Sequence, residues 1–115
     1  MRLRSDIWVS AYLRRRLAEG TGAVLRRRGA AEAGAIFVKV DRLDGRAALF
    51  GPAPQSLAAQ AAPGMDRLFV RMHEAEWIDP LEADRRLERE ISFDPDVWIV
   101  EVEDRGGEAR LDMVG

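Results

Sequence analysis

No cysteine occurs anywhere in the 115 residues, and there is only one histidine, His73, and one lysine, Lys39. The missing cysteine excludes disulfides, thiol nucleophiles and thiolate-ligated zinc or iron–sulfur sites. A single histidine leaves no partner for an HExxH-type metal helix. No apolar run approaches the roughly 18 residues that a spanning helix needs, so no membrane segment is expected. The opening MRLRSDIWVSAYLRRR has arginines but lacks the apolar stretch and small-residue cleavage site of a secretory signal, and cytoplasmic residence is the resulting expectation. No glycine-rich phosphate loop is present, because GTGAVLRRRG has neither the Walker spacing nor a GxGxxG turn. None of Ser5, Ser10, Ser56 or Ser92 sits in a nucleophile elbow. Neither an internal repeat nor a domain linker is visible.

What is present is ordinary material for one globular domain over 1–115: 47% hydrophobic and 33% charged residues. The charge is unevenly spread. Residues 1–28 carry eight arginines against Asp6 and Glu19, giving +6, while the other ten basic and eighteen acidic residues give −8. Such asymmetry marks either a basic surface for an acidic partner or a basic half that docks on an acidic half. The dispersal of the arginines among apolar residues favours the second.

The clearest local pattern is DPLEADRRLEREISFDPDVWIVEVED, Asp79 to Asp104. Asp79 suits an N-cap, Pro80 the first helical position, and Glu82 completes an Asp-x-x-Glu box. Leu81, Ala83, Leu87 and Ile91 share a face at helical spacing, and Pro95 ends the helix near Ser92 or Phe93. From Val97 to Glu103 the residues alternate as in a half-buried antiparallel strand, with Trp98, Val100 and Val102 on its apolar side. A first helix is expected from Ser5 or Asp6 to Glu19, with Val9, Leu13 and Leu17 inward, extended by Ile7, Ala11 and Ala18. Strands are expected at 23–28, 35–41 and 67–73, with a short sixth at 109–113. Asp44-Gly45 signals a two-residue hairpin pairing Val40 with Leu49. The stretch 52–64 reads as a surface loop, with a lid as the alternative. The fold class is therefore α+β: a mostly antiparallel sheet of about five strands with two helices packed on one face.

Two places carry chemistry worth weighing. Trp8, Tyr12, Arg15 and Arg16 fall on the less apolar arc of the first helix and form a candidate binding surface able to stack bases or clamp phosphates. The plainer alternative has Trp8 and Tyr12 packing inward beneath arginine stems. Arg26 to Arg28 alternate along a strand, which argues against a single-face basic patch. His73, Glu74 and Glu76 are a weaker candidate for acid–base or divalent-cation chemistry. Asp94 and Asp96 are explained by local turn bonds. No catalytic, cofactor-binding or metal-ligating residue is assigned.

The segments WVSAYLRRR, AVLRRRGAAEAGAIFVKV and DPDVWIVEVEDR resemble those of domain of unknown function family 1491, a family of small bacterial proteins. That resemblance implies a single domain of this length and brings no activity, cofactor or site residue. The residues themselves rank a non-enzymatic module that docks on a protein partner or self-associates first. A nucleic-acid binder using the Trp8–Arg16 arc is the alternative, and a hydrolase around His73 comes third.

Overall fold

A computed structural model describes residues 2–58 and 67–114. Its elements run α1 (Ser5–Ala18), β1 (Gly22–Arg27), β2 (Ile36–Asp41), β3 (Ala47–Pro52), α2 (Gln55–Ala58), β4 (Phe69–Arg71), α3 (Pro80–Phe93) and β5 (Trp98–Glu103). The strands form one sheet in the order β1-β5-β2-β3-β4. Three pairings are antiparallel and one, β2 with β5, is parallel.

β5 lies inside the sheet because both of its faces are apolar. Trp98, Val100 and Val102 point one way, and Ile99, with Val97 just before the strand, points the other; all are buried. The expected half-buried antiparallel strand is thus a strand covered on both sides, which is what a parallel neighbour demands. Ile36, Val38 and Val40 extend the first face, and Val9 and Tyr12 of α1 pack on it. Phe37 and Leu49 extend the second, beneath Leu87 and Ile91 of α3. The two long helices therefore sit on opposite faces, not on one as the sequence suggested. A one-sided layer would leave Phe37, Leu49 and Ile99 in water, at about 2 kcal/mol each.

α3 follows its sequence signals closely. The Asp79 carboxylate accepts the Leu81 amide at 2.8 Å, and the helix stops at Phe93, just ahead of Asp94-Pro95. Two expectations differ: Leu81 is 65% exposed, and the Glu82 carboxylate accepts from Arg85 at 3.2 Å and Arg86 at 3.1 Å, so it does not close a capping box on the Asp79 amide. α1 departs further. Ser5, Val9, Tyr12 and Arg16 are its buried residues, while Ile7 and Leu17 are 49% and 56% exposed. Burying Tyr12 fully and Trp8 in part outweighs burying Ile7 and Leu17, so the aromatic pair packs inward, as the plainer of the two readings has it, while Arg15 stays exposed.

The hairpin is displaced by one residue: Val40 faces Ala48, and Lys39 faces Leu49. Its loop holds three residues, with Leu43 (φ 65°) and Gly45 (φ 85°) both left-handed and the Arg42 amide bonded to the Arg46 carbonyl. The strand expected at 67–73 is trimmed to Phe69–Arg71, and the one expected at 109–113 is a single bridge between Phe69 and Met113. Of the stretch 52–64, Pro52 closes β3 and Gln55–Ala58 form α2; residues 59–64 lie outside those described.

The small-residue connection 29–34 ties three elements together. The Ala30 amide bonds to the Asp96 carbonyl at 2.9 Å, and the Trp98 indole N–H donates to the Ala30 carbonyl at 2.7 Å. The carbonyls of Glu32 and Ala31 accept the first amides of α1, from Ser5 and Asp6. Such close approach needs glycine: a Cβ on Gly29 would lie 2.2 Å from the Asp96 oxygen, and one on Gly34 2.3 Å from it. Gly29→Ala and Gly34→Ala are each expected to lower stability in urea by at least about 2 kcal/mol. Gly106→Ala, whose Cβ would meet only side-chain atoms at 3.5 Å or more, should cost far less.

Candidate functional site

After β5 the chain returns across the α1 side of the sheet as a strap, residues 107–114. The Tyr12 hydroxyl donates to the Ala109 carbonyl at 2.5 Å. The Phe69 amide donates to Asp112 at 2.9 Å, and the Val114 amide to Phe69 at 3.0 Å. Ala109 and Leu111 pack on the core of that face. Between strap and helix lies a groove of about 510 Å³, lined by Leu3, Trp8, Ala11, Tyr12, Arg15, Glu19, Arg67, Arg110, Leu111 and Asp112.

The helix wall is an aromatic ladder. Trp8 stacks on Tyr12 one turn later, with centroids 5.0 Å apart and planes 11° from parallel, and leans on Phe69 at 5.3 Å. The Arg15 guanidinium lies 5.4 Å from the Tyr12 ring centre and reaches the Arg110 carbonyl at 3.4 Å. Burial pushes the Tyr12 phenol up to about 12, so it remains a neutral donor to the strap. At the floor, buried Arg67 donates to the Leu3 carbonyl at 3.0 Å and to the Ser5 hydroxyl at 3.1 Å. The Ser5 hydroxyl in turn donates to the Gly34 carbonyl at 2.7 Å.

Of the four residues singled out on the first helix, Trp8, Tyr12 and Arg15 line the groove and Arg16 does not. Arg16 is 1% exposed, paired with Asp104 at 3.2 Å and Glu19 at 3.3 Å, with the Thr21 hydroxyl at 3.4 Å. One residue along a helix is a rotation of about 100°, which carries Arg16 under the helix while Arg15 stays at the rim. Sequence reasoning missed Arg67 and the strap residues Arg110, Leu111 and Asp112. A short strand is expected at 109–113, but nothing in the sequence says which face the chain crosses to reach it. Arg16→Ala should remove the buried cation shared by Asp104 and Glu19, leave a cavity, and cost about 2–4 kcal/mol in denaturant unfolding. Arg15→Ala, exposed and outside the core, should stay within about 0.5 kcal/mol of the parent.

His73 has a backbone role. The Leu49 amide can only donate, so Nε2 accepts it at 3.0 Å, and Nδ1–H donates to the Ala75 carbonyl at 2.6 Å. Glu74 and Glu76 are exposed beside it, and no cluster fit for a metal ion occurs among the described residues. Asp94 serves its turn, accepting the Asp96 amide at 3.0 Å. Burial, the largest effect, holds His73 below the ordinary histidine value of 6.5. The unfolded chain therefore takes up the proton first as pH falls below 6.5, and stability present above that value is lost on the way down. Unfolding free energy should decline between about pH 7 and pH 5 in the parent, and less steeply in His73→Gln, because no other histidine exists to titrate there.

A smaller groove of about 250 Å³ lies on the α3 side, lined by Arg26, Arg27, Asp84, Leu87, Glu88, Ile91 and Ile99. A bulge between Leu25 and Arg27 lets two consecutive arginines serve one face, contrary to simple alternation. Arg26 pairs with Glu101 and Arg27 donates to the Pro95 carbonyl at 2.8 Å. Lys39 is buried nearby, 2.9 Å from Asp84.

A mixed five-stranded sheet with a long helix on each face and a groove against a returning C-terminal strap defines a small α+β domain with a surface groove. A family model described as Protein of unknown function (DUF1491) matches residues 3–112, and the chain belongs to that family. It is similar to the crystal structure of a DUF1491 family protein from Caulobacter crescentus CB15, with 35% identity, TM-score 0.78 and both chains covered in full. An NMR structure of a DUF1491 family protein from the same organism gives 36% identity and TM-score 0.77, covering 100% of this chain and 99% of that one. The solution structure of an A. tumefaciens protein is 42% identical with TM-score 0.72, over 90% of this chain and 86% of that one. No curated protein matches the chain. Among the described residues no helix is long and apolar enough to cross a membrane.

Proposed function

We propose that this protein is a non-catalytic binding module whose groove between α1 and the strap receives a segment of a protein partner. The composition of the groove wall carries the reading. Leu3, Trp8 and Leu111 supply apolar surface, and Arg15, Arg110 and Asp112 supply charges of both signs around a cavity of about 510 Å³. The volume lies within the roughly 300–1,000 Å³ usual for ligand clefts, and the near-even mix of polar and apolar lining, more polar than in most small-molecule sites, suits a peptide with its alternating side chains. A phosphodiester chain is served less well, because Arg16 is committed to Asp104 and Glu19. Glu19 and Asp112 also stand in the wall it would have to pass. Nucleic acid is therefore the second reading. A cytoplasmic setting belongs to the same proposal, in keeping with a chain that builds its fold without disulfides.

A photo-crosslinking amino acid placed at Ala11, on the groove wall, and separately at Glu88, on the opposite side of the sheet, tests the proposal in living cells. Protein adducts are expected from Ala11 and not from Glu88. Nucleic-acid adducts at Ala11 would move the assignment to the second reading, and equal or absent adducts at both positions would sink the groove as a binding face.

A further inference from the structure

Resting on that reading of the groove, we infer that the segment it receives presents a carboxylate beside an apolar side chain, with the carboxylate held between Arg15 and Arg110. The two arginines line the same cavity from opposite walls, one from α1 and one from the strap. Arg15 is positioned by the Tyr12 ring at 5.4 Å and by the Arg110 carbonyl at 3.4 Å, and makes no ion pair among the described residues. Its guanidinium is thus oriented by neutral groups and keeps its charge for a ligand.

Arg110 contacts one carboxylate, Glu108 at 3.4 Å, and both side chains are more than half exposed, at 57% and 59%. Exposed pairs of this kind are weak and give way to a better-placed anion. The backbone at Arg110 is left-handed, with φ 55°. A non-glycine residue holds that conformation only where its surroundings impose it. Here it sits between Ala109 and Leu111, both packed on the core, so the strap is anchored on either side of the arginine.

The balance of charge points the same way. Arg15 and Arg110 share the lining with Glu19 and Asp112, and Glu19 is already paired with buried Arg16 at 3.3 Å. Planar guanidinium forks match a carboxylate in two parallel hydrogen bonds, which a lysine ammonium cannot do. Leu3, 46% exposed, with Trp8 and Leu111, supplies the apolar surface beside them. A carboxylate carried on an apolar body, such as the C-terminal end of a chain, satisfies both halves of the groove.

Titrating isotope-labelled protein by NMR with N-acetyl-leucyl-phenylalanine, and in parallel with the same dipeptide amidated at its C-terminus, tests the inference. Shifts are expected at the Trp8 indole, Arg15, Arg110 and Leu111. The free acid should bind at least about tenfold more tightly than the amide, as charge-assisted hydrogen bonds require. That advantage should vanish in the Arg15→Gln, Arg110→Gln double variant, checked to melt like the parent. Equal affinity for acid and amide would overturn the carboxylate clamp and leave the peptide groove standing. Binding of neither at millimolar concentration, or shifts confined to other surfaces, would also overturn the clamp, while the groove itself stands or falls on the crosslinking at Ala11. Tighter binding of a short oligothymidylate at the same residues would replace the carboxylate with a phosphate.

Discussion

The contact between the 29–34 connection and the Asp96–Trp98 segment is the constraint on which the other elements depend. The Ala30 amide bonds to Asp96, the Ala30 carbonyl receives the Trp98 indole, and the Trp98 amide bonds to Ala35 at 2.8 Å. These bonds fix β2 beside β5 in parallel, with Ile36 opposite Trp98. The same connection lends its carbonyls to Ser5 and Asp6, so the start of α1 is set by the same six residues. Backbone can approach this closely only where Gly29 and Gly34 leave out a side chain. Once β5 is central, its two apolar faces require a cover on each side, and α1 and α3 supply one each.

The uneven charge of the chain finds part of its explanation in this arrangement. Arg16 and Arg26 reach Asp104 and Glu101, so the arginine-rich N-terminal part meets the acidic strand β5 directly. The two contacts are not equivalent. Arg26 is 45% exposed, and such surface pairs contribute between about 0 and 1 kcal/mol. Arg16 is sealed, and removing it would leave a cavity beneath the helix and take away the cation that Asp104 and Glu19 share. Arg15, one position earlier, has neither a carboxylate nor a cover, and this contrast separates the arginine that holds the fold from the one at the rim.

Local chemistry made much of the fold legible in the sequence. The Asp79 cap and the stop before Pro95 each follow from a few neighbouring residues and stand as expected, and β5 and the hairpin form where expected, although β5 is covered on both faces and the hairpin is one residue out of register. Features set by competition between distant surfaces were harder to read. The orientation of α1 turns on whether Tyr12 or Leu17 gains more from burial, and that depends on the Ala109 carbonyl 97 residues away. The hairpin register moved because Leu43 accepts a left-handed backbone, which sequence preferences for aspartate and glycine do not foresee. The bulge beside Arg26 belongs to the same group, since one unpaired residue reverses the facing of the arginines after it. Three of the four proposed surface residues nevertheless reached the groove, because an aromatic pair and an arginine at helical spacing share a side wherever that side points.

The groove differs from the core in how its walls are held. One wall is a helix docked on the sheet; the other is a strap secured by the Tyr12 and Phe69 hydrogen bonds and by the burial of Ala109 and Leu111. Segments with few backbone bonds open at lower free energy than the sheet they rest on. A ligand that bridges Arg15 and Arg110 joins the less secured wall to the more secured one. By linkage it must stabilise the closed strap by the same free energy with which the closed strap favours the ligand. Occupancy of the groove and protection of the residue 109–114 amides are thus two views of one equilibrium. In this fold, the segment that completes the α1-side core is also the segment that would register binding.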